Sequence, residues 1–263
     1  MVILHTELFV LQIPKFKVDF EPDKLYGYST EEKKKNLKEV LTKASNGYCM
    51  YCYRRIVLDR QNNGQLEHGI EKDNSDKLID CVSNISITCA SCNTSRKKIG
   101  EKKRKLLECI VKEFEKNKCK ENCLKPCDAY KKLKKEYLKN QDSQMILQPL
   151  GVDGNDTGEE LELEYDVLEA KFRPSEEHGY SDGERQFIKA HIARFKLNDR
   201  QQKTEQLIKF LRDTIDNDGI YTTIEYNNLI VELFVKQLKG KTPEEIFKIC
   251  STIYEYSVVK FYT

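Results

Sequence analysis

The pattern of apolar and polar residues predicts helices near the front of the chain and through its last third. Ser29 and Thr30 offer hydroxyls for a helix cap, and Glu31 and Glu32 follow as acids of a first turn, so a helix is expected from there to about Ser45. The same helical periodicity predicts four later helices, over about Asp182–Phe195, Asp199–Ile215, Thr223–Leu238 and Pro243–Ser257.

Between these ends the pattern changes to short extended segments. The run Leu161-Glu-Leu-Glu-Tyr165 alternates apolar and acidic residues and predicts a strand, with Leu168–Phe172 as its hairpin partner. The other elements expected are an extended lead-in over Ile3–Ile13, strands around Tyr53–Leu58 and Gln65–Ile70, and helices over about Asn93–Lys118 and Cys127–Lys139. These elements predict an α+β chain that is mostly helical.

Charge changes this picture locally rather than globally. The 263 residues contain 45 Lys or Arg and 43 Asp or Glu, which gives a net charge of +2. Residues Arg96–Lys139 hold 17 basic and 7 acidic residues, whereas Gln141–Glu184 hold 2 basic and 13 acidic ones. The basic segment favours a polyanionic partner, and the alternative is that both segments are solvated helical faces.

The composition excludes a membrane-spanning chain. The mean hydropathy is −0.67, and no stretch approaches the roughly 20 apolar residues that a membrane helix needs. Met1–Gln12 lacks the basic start and the small-residue cleavage site of a signal peptide, so a cytoplasmic location is expected. In a reducing compartment, ten cysteines indicate metal ligation or buried thiols rather than disulfides.

Four of these cysteines have the spacing of metal ligands. They form two knuckles, Cys49-Met-Tyr-Cys52 and Cys89-Ala-Ser-Cys92, and each can donate two thiolates from a tight turn. The alternative is a pair of redox-active C-x-x-C motifs. Because two such motifs bracket a β-rich insert, a structural Zn²⁺ is the prediction. Cys109, Cys119, Cys123 and Cys127 follow downstream, and their spacing leaves a second metal site open.

Polar residues interleave with the knuckles in a particular order. Glu67-His68 lies in the insert, Asn84 follows, and the second knuckle leads directly into Asn93 and then Lys97. This order resembles the HNH endonucleases that carry a cysteine-bound structural zinc. The pattern of that family is an acid before His, a central Asn, and Cys-x-x-Cys followed by His or Asn, with Lys soon after.

The resemblance spans about Gly47–Lys98 and implies a small zinc-stapled ββα-metal core embedded among helices. It implies that His68 is the general base, that Glu67 and Asn93 hold a catalytic Mg²⁺ or Mn²⁺, and that Asn84 orients the loop that carries the base. Hydrolysis of a phosphodiester needs such a base and a cation. Taken singly, the four could be a structural histidine, an exposed acid, a helix cap and a turn residue.

The basic residues after Asn93 are expected to contact nucleic acid. Phosphate contacts supply affinity and salt dependence but little sequence information. The residues expected to make them are Arg96, Lys97, Lys102, Lys103 and Lys105. The resemblance to the HNH endonucleases implies DNA as the partner, and RNA remains an alternative.

The layout divides into three predicted regions: an N-terminal strand and helix over 1–46, a nuclease core with basic helices over 47–140, and an acidic, strand-bearing linker with C-terminal helices over 141–263. This order also resembles the HNH protein of Septu-type and retron-associated anti-phage systems, which implies an ATPase partner. Three functions stay open: a metal-dependent DNA endonuclease in anti-phage defence, a nuclease active only with its ATPase partner, and a zinc-stapled nucleic-acid-binding module that does not cut.

Overall fold

The computed structural model of the chain describes residues 9–117, 124–222 and 228–262. Its architecture is α+β, as the sequence predicts. The strands are β1 (Val10–Gln12), β2 (Val57–Leu58), β3 (Gln61–Asn62), β4 (Gln65–His68), β5 (Ile85–Thr88), β6 (Leu163–Asp166) and β7 (Lys171–Pro174). The helices are α1 (Glu31–Ala44), α2 (Glu108–Lys116), α3 (Asp128–Leu138), α4 (Asp182–Arg194), α5 (Arg200–Asp216), α6 (Leu229–Leu238) and α7 (Pro243–Tyr262).

The first helix, α1, begins where its capping residues predict. The side chain of Thr30 accepts a hydrogen bond from the backbone amide of Lys33, and this satisfies one of the amides left unpaired at a helix start. Leu37, Val40 and Leu41 form its buried face. The predicted helices over about 127–139, 182–195, 199–215 and 243–257 are likewise present within a few residues of those bounds.

The described residues contain three antiparallel sheets, formed by β1, β6 and β7, by the short β2–β3 pair and by the β4–β5 pair. The hairpin predicted from the alternating acidic run is formed by β6 and β7, with Tyr165 opposite Phe172. Strand β1 adds to the other edge of β6, with Leu11 opposite Tyr165. The N-terminal segment therefore pairs with a strand about 150 residues later. The first and third of the predicted regions thus share one sheet.

A second, two-stranded sheet carries the motif residues. In this β4–β5 pair, Glu67 lies opposite Ser86 and His68 lies opposite Ile85. All four residues of β5 are buried. The segment from Cys81 to Asn84 turns the chain back toward β4, so the two strands are joined by a long connection rather than by a tight hairpin turn.

The continuous helix predicted over Asn93–Lys118 is wrong. The chain instead makes a short π-helical turn over Cys92–Arg96, breaks at Gly100 in the left-handed conformation (φ 77°), and starts α2 only at Glu108. The physical reason is the buried Arg104, whose guanidinium donates to the carbonyls of Lys97 and Ile99. A regular helix would satisfy those carbonyls itself, so the ion-pairing of Arg104 outweighs local helix propensity.

One hydrophobic core runs through the described residues. It joins the knuckles to the C-terminal helices, and the ring of Tyr51 stacks on Phe195 at 4.5 Å between centroids. Helix α6 packs beside the first knuckle, where the Tyr48 hydroxyl donates to Glu232 at 2.7 Å. Among the described residues, no helix has both the length and the apolar composition needed to cross a bilayer.

Candidate functional site

The four knuckle cysteines come together in space. Their sulfur atoms all lie within 4.8 Å of one another, and the sulfurs of Cys52 and Cys89 are 3.6 Å apart. In a tetrahedral site with Zn–S bonds of about 2.3 Å, neighbouring sulfurs lie about 3.8 Å apart. The group can therefore hold a metal ion such as zinc. Within the part of the chain that the structure describes, no other cluster of metal-ligating side chains reaches this density.

Local backbone geometry forms each knuckle. The amide of Cys49 donates to the carbonyl of Arg54 at 2.8 Å, and Tyr53 adopts a positive φ of 60° to close the turn. In the second knuckle the amides of Cys92 and Asn93 both donate to the carbonyl of Cys89. The metal-ligating group therefore sits where β5 ends and the π-helical turn begins.

A cleft of about 510 Å³ opens beside this group and contains most of the predicted active-site residues. Glu67 and His68, at the end of β4, line it together with Asn93 and Lys97. Adjacent residues on a regular strand point to opposite faces. Both side chains reach the cleft because His68 is the last residue of β4 and the chain bends at Gly69.

His68 is held by its surroundings in one orientation. Its Nε2 lies 3.0 Å from the carbonyl oxygen of Ile79, so Nε2 is the nitrogen that carries the proton. The ring of Tyr28 meets the imidazole edge to face at 4.9 Å. Burial lowers the pKa of His68, and this favours the neutral form at pH 7. The lone pair on Nδ1 is then the basic site of the ring.

Glu67 is a buried carboxyl group, and one of its two oxygens is held in an ion pair. Its Oε1 lies 2.8 Å from the ammonium of Lys97, whereas its Oε2 has no hydrogen-bond partner among the described residues. Burial raises the pKa of Glu67 to about 7, and the positive charge of Lys97 opposes that rise. A buried carboxylate oxygen without a partner is costly unless a cation or a donor binds it.

The two asparagines occupy different positions. Asn93 lines the cleft, and its amide nitrogen donates to the side-chain oxygen of Gln65 at 3.0 Å, so the amide oxygen is the atom it can offer to a cation. Asn84 is fully buried outside the cleft lining. Its side-chain oxygen accepts from the backbone amide of Ile70 at 2.7 Å and from the hydroxyl of Tyr130, and its side-chain nitrogen donates to the carbonyl of Ile70 at 2.8 Å. Asn84 thus fixes the turn that follows His68.

A charge network in the wall of the cleft contains residues that the sequence did not single out. The carboxylate of Glu71 accepts from Arg104, whose Nη2 lies 2.7 Å away, and from the hydroxyl of Tyr137 at 2.9 and 3.0 Å. It also lies 3.1 Å from the ammonium of Lys97. Burial raises the pKa of Glu71, but the charges of Lys97 and Arg104 outweigh it and lower the pKa overall. Tyr137 lies in the helix that the sequence predicts over about Cys127–Lys139, but nothing in the sequence marked it as a partner of Glu71.

The predicted nucleic-acid contacts divide into three groups. Lys102 and Lys105 are exposed and line the cleft, whereas the exposed Lys103 does not. Lys97 is buried in its ion pairs. Arg96 donates to the backbone carbonyl of Phe195 at 2.7 Å and ties the π-helical turn to the end of α4. The sequence predicts these basic residues on one continuous helix. The break at Gly100 instead separates Arg96 and Lys97 from the three later lysines.

The downstream cysteines stand apart from the knuckles. Cys109 is exposed on α2, and Cys127 is partly buried just before α3. Cys119 and Cys123 lie outside the described residues. The second metal site that their spacing left open therefore stays a hypothesis.

Comparison with known proteins identifies no relative of this chain. No protein-family model, no curated protein and no solved structure matches the chain.

Proposed function

We propose that this chain is a metal-dependent endonuclease of the HNH type that hydrolyses phosphodiester bonds of DNA. One observation carries the proposal: Glu67, His68 and Asn93 line the same cleft, and Asn93 directly follows Cys92 of the four-cysteine group. A base, a carboxylate and an amide oxygen beside a basic rim form the minimum set for metal-assisted hydrolysis of a phosphodiester.

Zinc at the four cysteines would be structural. Four thiolates fill the tetrahedral coordination of Zn²⁺ and leave no position for substrate. The site also links Cys49 and Cys52, before β2, to Cys89 and Cys92, after β5, so it ties together the two ends of the segment that carries His68. Zinc is therefore proposed to hold the shape of the cleft rather than to act on the substrate.

The donors in the cleft suit a hard divalent cation. Glu67 Oε2 is a buried carboxylate oxygen without a partner, and Asn93 supplies an amide oxygen on the same cleft wall. Mg²⁺ and Mn²⁺ prefer such oxygen ligands. When bound, the cation would polarise the scissile phosphate and stabilise the charge that develops on it.

His68 is proposed to take the proton from the attacking water. Because Nε2–H donates to the carbonyl of Ile79, Nδ1 is the atom that accepts the proton. The lowered pKa keeps the ring neutral before the reaction, and the Ile79 carbonyl stabilises the imidazolium afterwards. Asn84 and Tyr28 are proposed to position the ring, since one fixes the following turn and the other packs against the imidazole.

Exposed lysines around the cleft are suited to the DNA backbone. Lys72 and Lys98 line it together with Lys102 and Lys105, and all four side chains are exposed. Ammonium groups of this kind bind phosphates without reading bases. The proposal is therefore a nuclease with little sequence preference of its own.

The biological setting is proposed from the resemblance of the layout. A cytoplasmic effector of anti-phage defence, working with an ATPase partner, fits the order of a zinc-bracketed motif, an acidic linker and C-terminal helices. The acidic stretch 141–184 would then contact the partner rather than DNA, because its charge repels phosphates.

The test is cleavage of supercoiled plasmid by the zinc-loaded chain with Mg²⁺ or Mn²⁺, with an ATPase encoded beside it added where one exists. We expect EDTA to stop cleavage and His68→Ala to lower the rate by about 10²–10⁴-fold, as loss of a general base does. His178→Ala is the matched control, because His178 lies away from the cleft against Glu159 and Glu162. Undiminished cutting by a folded His68→Ala protein would contradict the mechanism.

A further inference from the structure

The position of Lys97 is not explained by phosphate binding. Its side chain is only 5% exposed, and its ammonium lies between two buried carboxylates, 2.8 Å from Glu67 Oε1 and 3.1 Å from Glu71 Oε1. A buried ammonium is stable only when it is paired in this way. The positive charge of Lys97 therefore already neutralises the carboxyl that the proposed metal would use.

The two carboxylates that hold Lys97 differ in how firmly they are fixed. Glu71 is held by Arg104 through Nε at 3.0 Å and Nη2 at 2.7 Å, and by the Tyr137 hydroxyl. Glu67 has Lys97 as its charged partner, and its Oε2 is without one. If the Glu67 contact opens, Lys97 keeps its ion pair with Glu71, a carboxylate that it shares with Arg104.

We propose that the ammonium of Lys97 occupies the place of a cation at Glu67, and that a divalent metal has to displace it before binding there. This proposal rests on the proposed metal-dependent function. A metal at Glu67 Oε2 would share one carboxylate with the ammonium at Oε1. Like charges held this close in a partly dehydrated cleft repel strongly. Lys97 thus weakens divalent-metal binding in the resting protein and, together with Arg104, balances the charges of Glu67 and Glu71 without metal.

The test measures Mn²⁺ affinity directly, by titration calorimetry on the full, zinc-loaded chain without DNA. We expect Lys97→Gln to bind Mn²⁺ about tenfold more tightly than the wild type, because the competing charge is gone. Lys116→Gln is the matched control. It removes the same charge from an exposed residue at the end of α2, outside the cleft lining, so water and salt should keep its effect within about twofold.

Equal or weaker Mn²⁺ binding by a folded Lys97→Gln protein overturns this inference and leaves the proposed nuclease standing. Absence of Mn²⁺ binding in all three proteins overturns the proposed metal-dependent function, and the inference with it. If Lys97→Gln does not fold, the wild type decides by nitrogen NMR of the lysine ammonium groups. We expect the Lys97 signal to move in step with Mg²⁺ binding, and a signal that stays fixed while Mg²⁺ binds overturns the inference.

Discussion

The cleft region and the C-terminal helices are stabilised by different interactions. Around the cleft, four cysteines and a cluster of buried ionic side chains add to the apolar packing. The C-terminal helices α5, α6 and α7 pack against one another through apolar side chains. Four of these are almost fully buried: Phe210, Leu211, Phe234 and Ile253. Directional interactions depend on a few atoms, whereas apolar packing is spread over many. Single substitutions should therefore have sharper effects in the first region than in the second.

Loss of the metal should have the largest effect. Structural zinc contributes about 10–16 kcal/mol of apparent binding free energy in peptide models, and here it would be lost from the cleft region alone. We expect Cys89→Ala to give insoluble or unfolded protein. Cys250→Ala removes a buried thiol from α7 and should leave a folded protein with its zinc.

Elemental analysis checks this prediction, with one zinc per chain expected in the wild type and in Cys250→Ala. A folded wild-type protein that holds no metal would contradict the proposed zinc site. So would a Cys89→Ala protein as stable as the Cys250→Ala control.

Substitutions that keep side-chain size should separate charge from shape. Glu71→Gln keeps the volume but leaves the buried Arg104 without its carboxylate, and removing one partner of a buried ion pair costs about 3–5 kcal/mol. Leu211→Met is a swap of similar volume in the apolar core of the C-terminal helices, and it should cost less than about 1.5 kcal/mol. Urea unfolding of both variants measures the difference. Equal losses would mean that the buried charges contribute no more than packing does.

Glu184 is a buried carboxylate in the second half of the chain, and it should make part of the stability depend on pH. Its carboxylate closes a capping box with Ser181 at the start of α4 and accepts from the backbone amides of Asp156 and Thr157. Burial raises the pKa of Glu184, but these hydrogen bonds outweigh it and lower the pKa to about 2.

Because the folded pKa lies below the unfolded value of about 4.3, the stabilisation is complete above that pH and is lost as the pH falls toward 2. We expect Glu184→Gln to be about 1–2 kcal/mol less stable at pH 7, in the range of a lost helix cap. The gap to the wild type should narrow below about pH 4.5, as urea midpoints measured between pH 7 and pH 3 would show. A gap that does not change with pH would mean that Glu184 acts through its shape alone.

The sequence by itself was enough for features whose determinants are close together in the chain. The capping residues predict α1, the alternation over 161–165 predicts β6, and the spacing within each C-x-x-C knuckle predicts two convergent thiolates. Each of these signals spans a few residues, and local backbone geometry turns it into structure. The common site of Glu67, His68 and Asn93 was expected from the resemblance to the HNH endonucleases rather than from a local pattern.

Only the tertiary structure decided which polar residues pair with one another around that site. Glu71 joins Arg104 across 33 positions and Tyr137 across 66, and no local pattern connects residues so far apart. The same contacts interrupt the helix that the sequence predicts after Asn93 and turn Lys97 from a surface residue into a buried ion-pair partner. Burial makes an unpaired charge so costly that these pairings override local helix propensity, and burial is set by the whole fold.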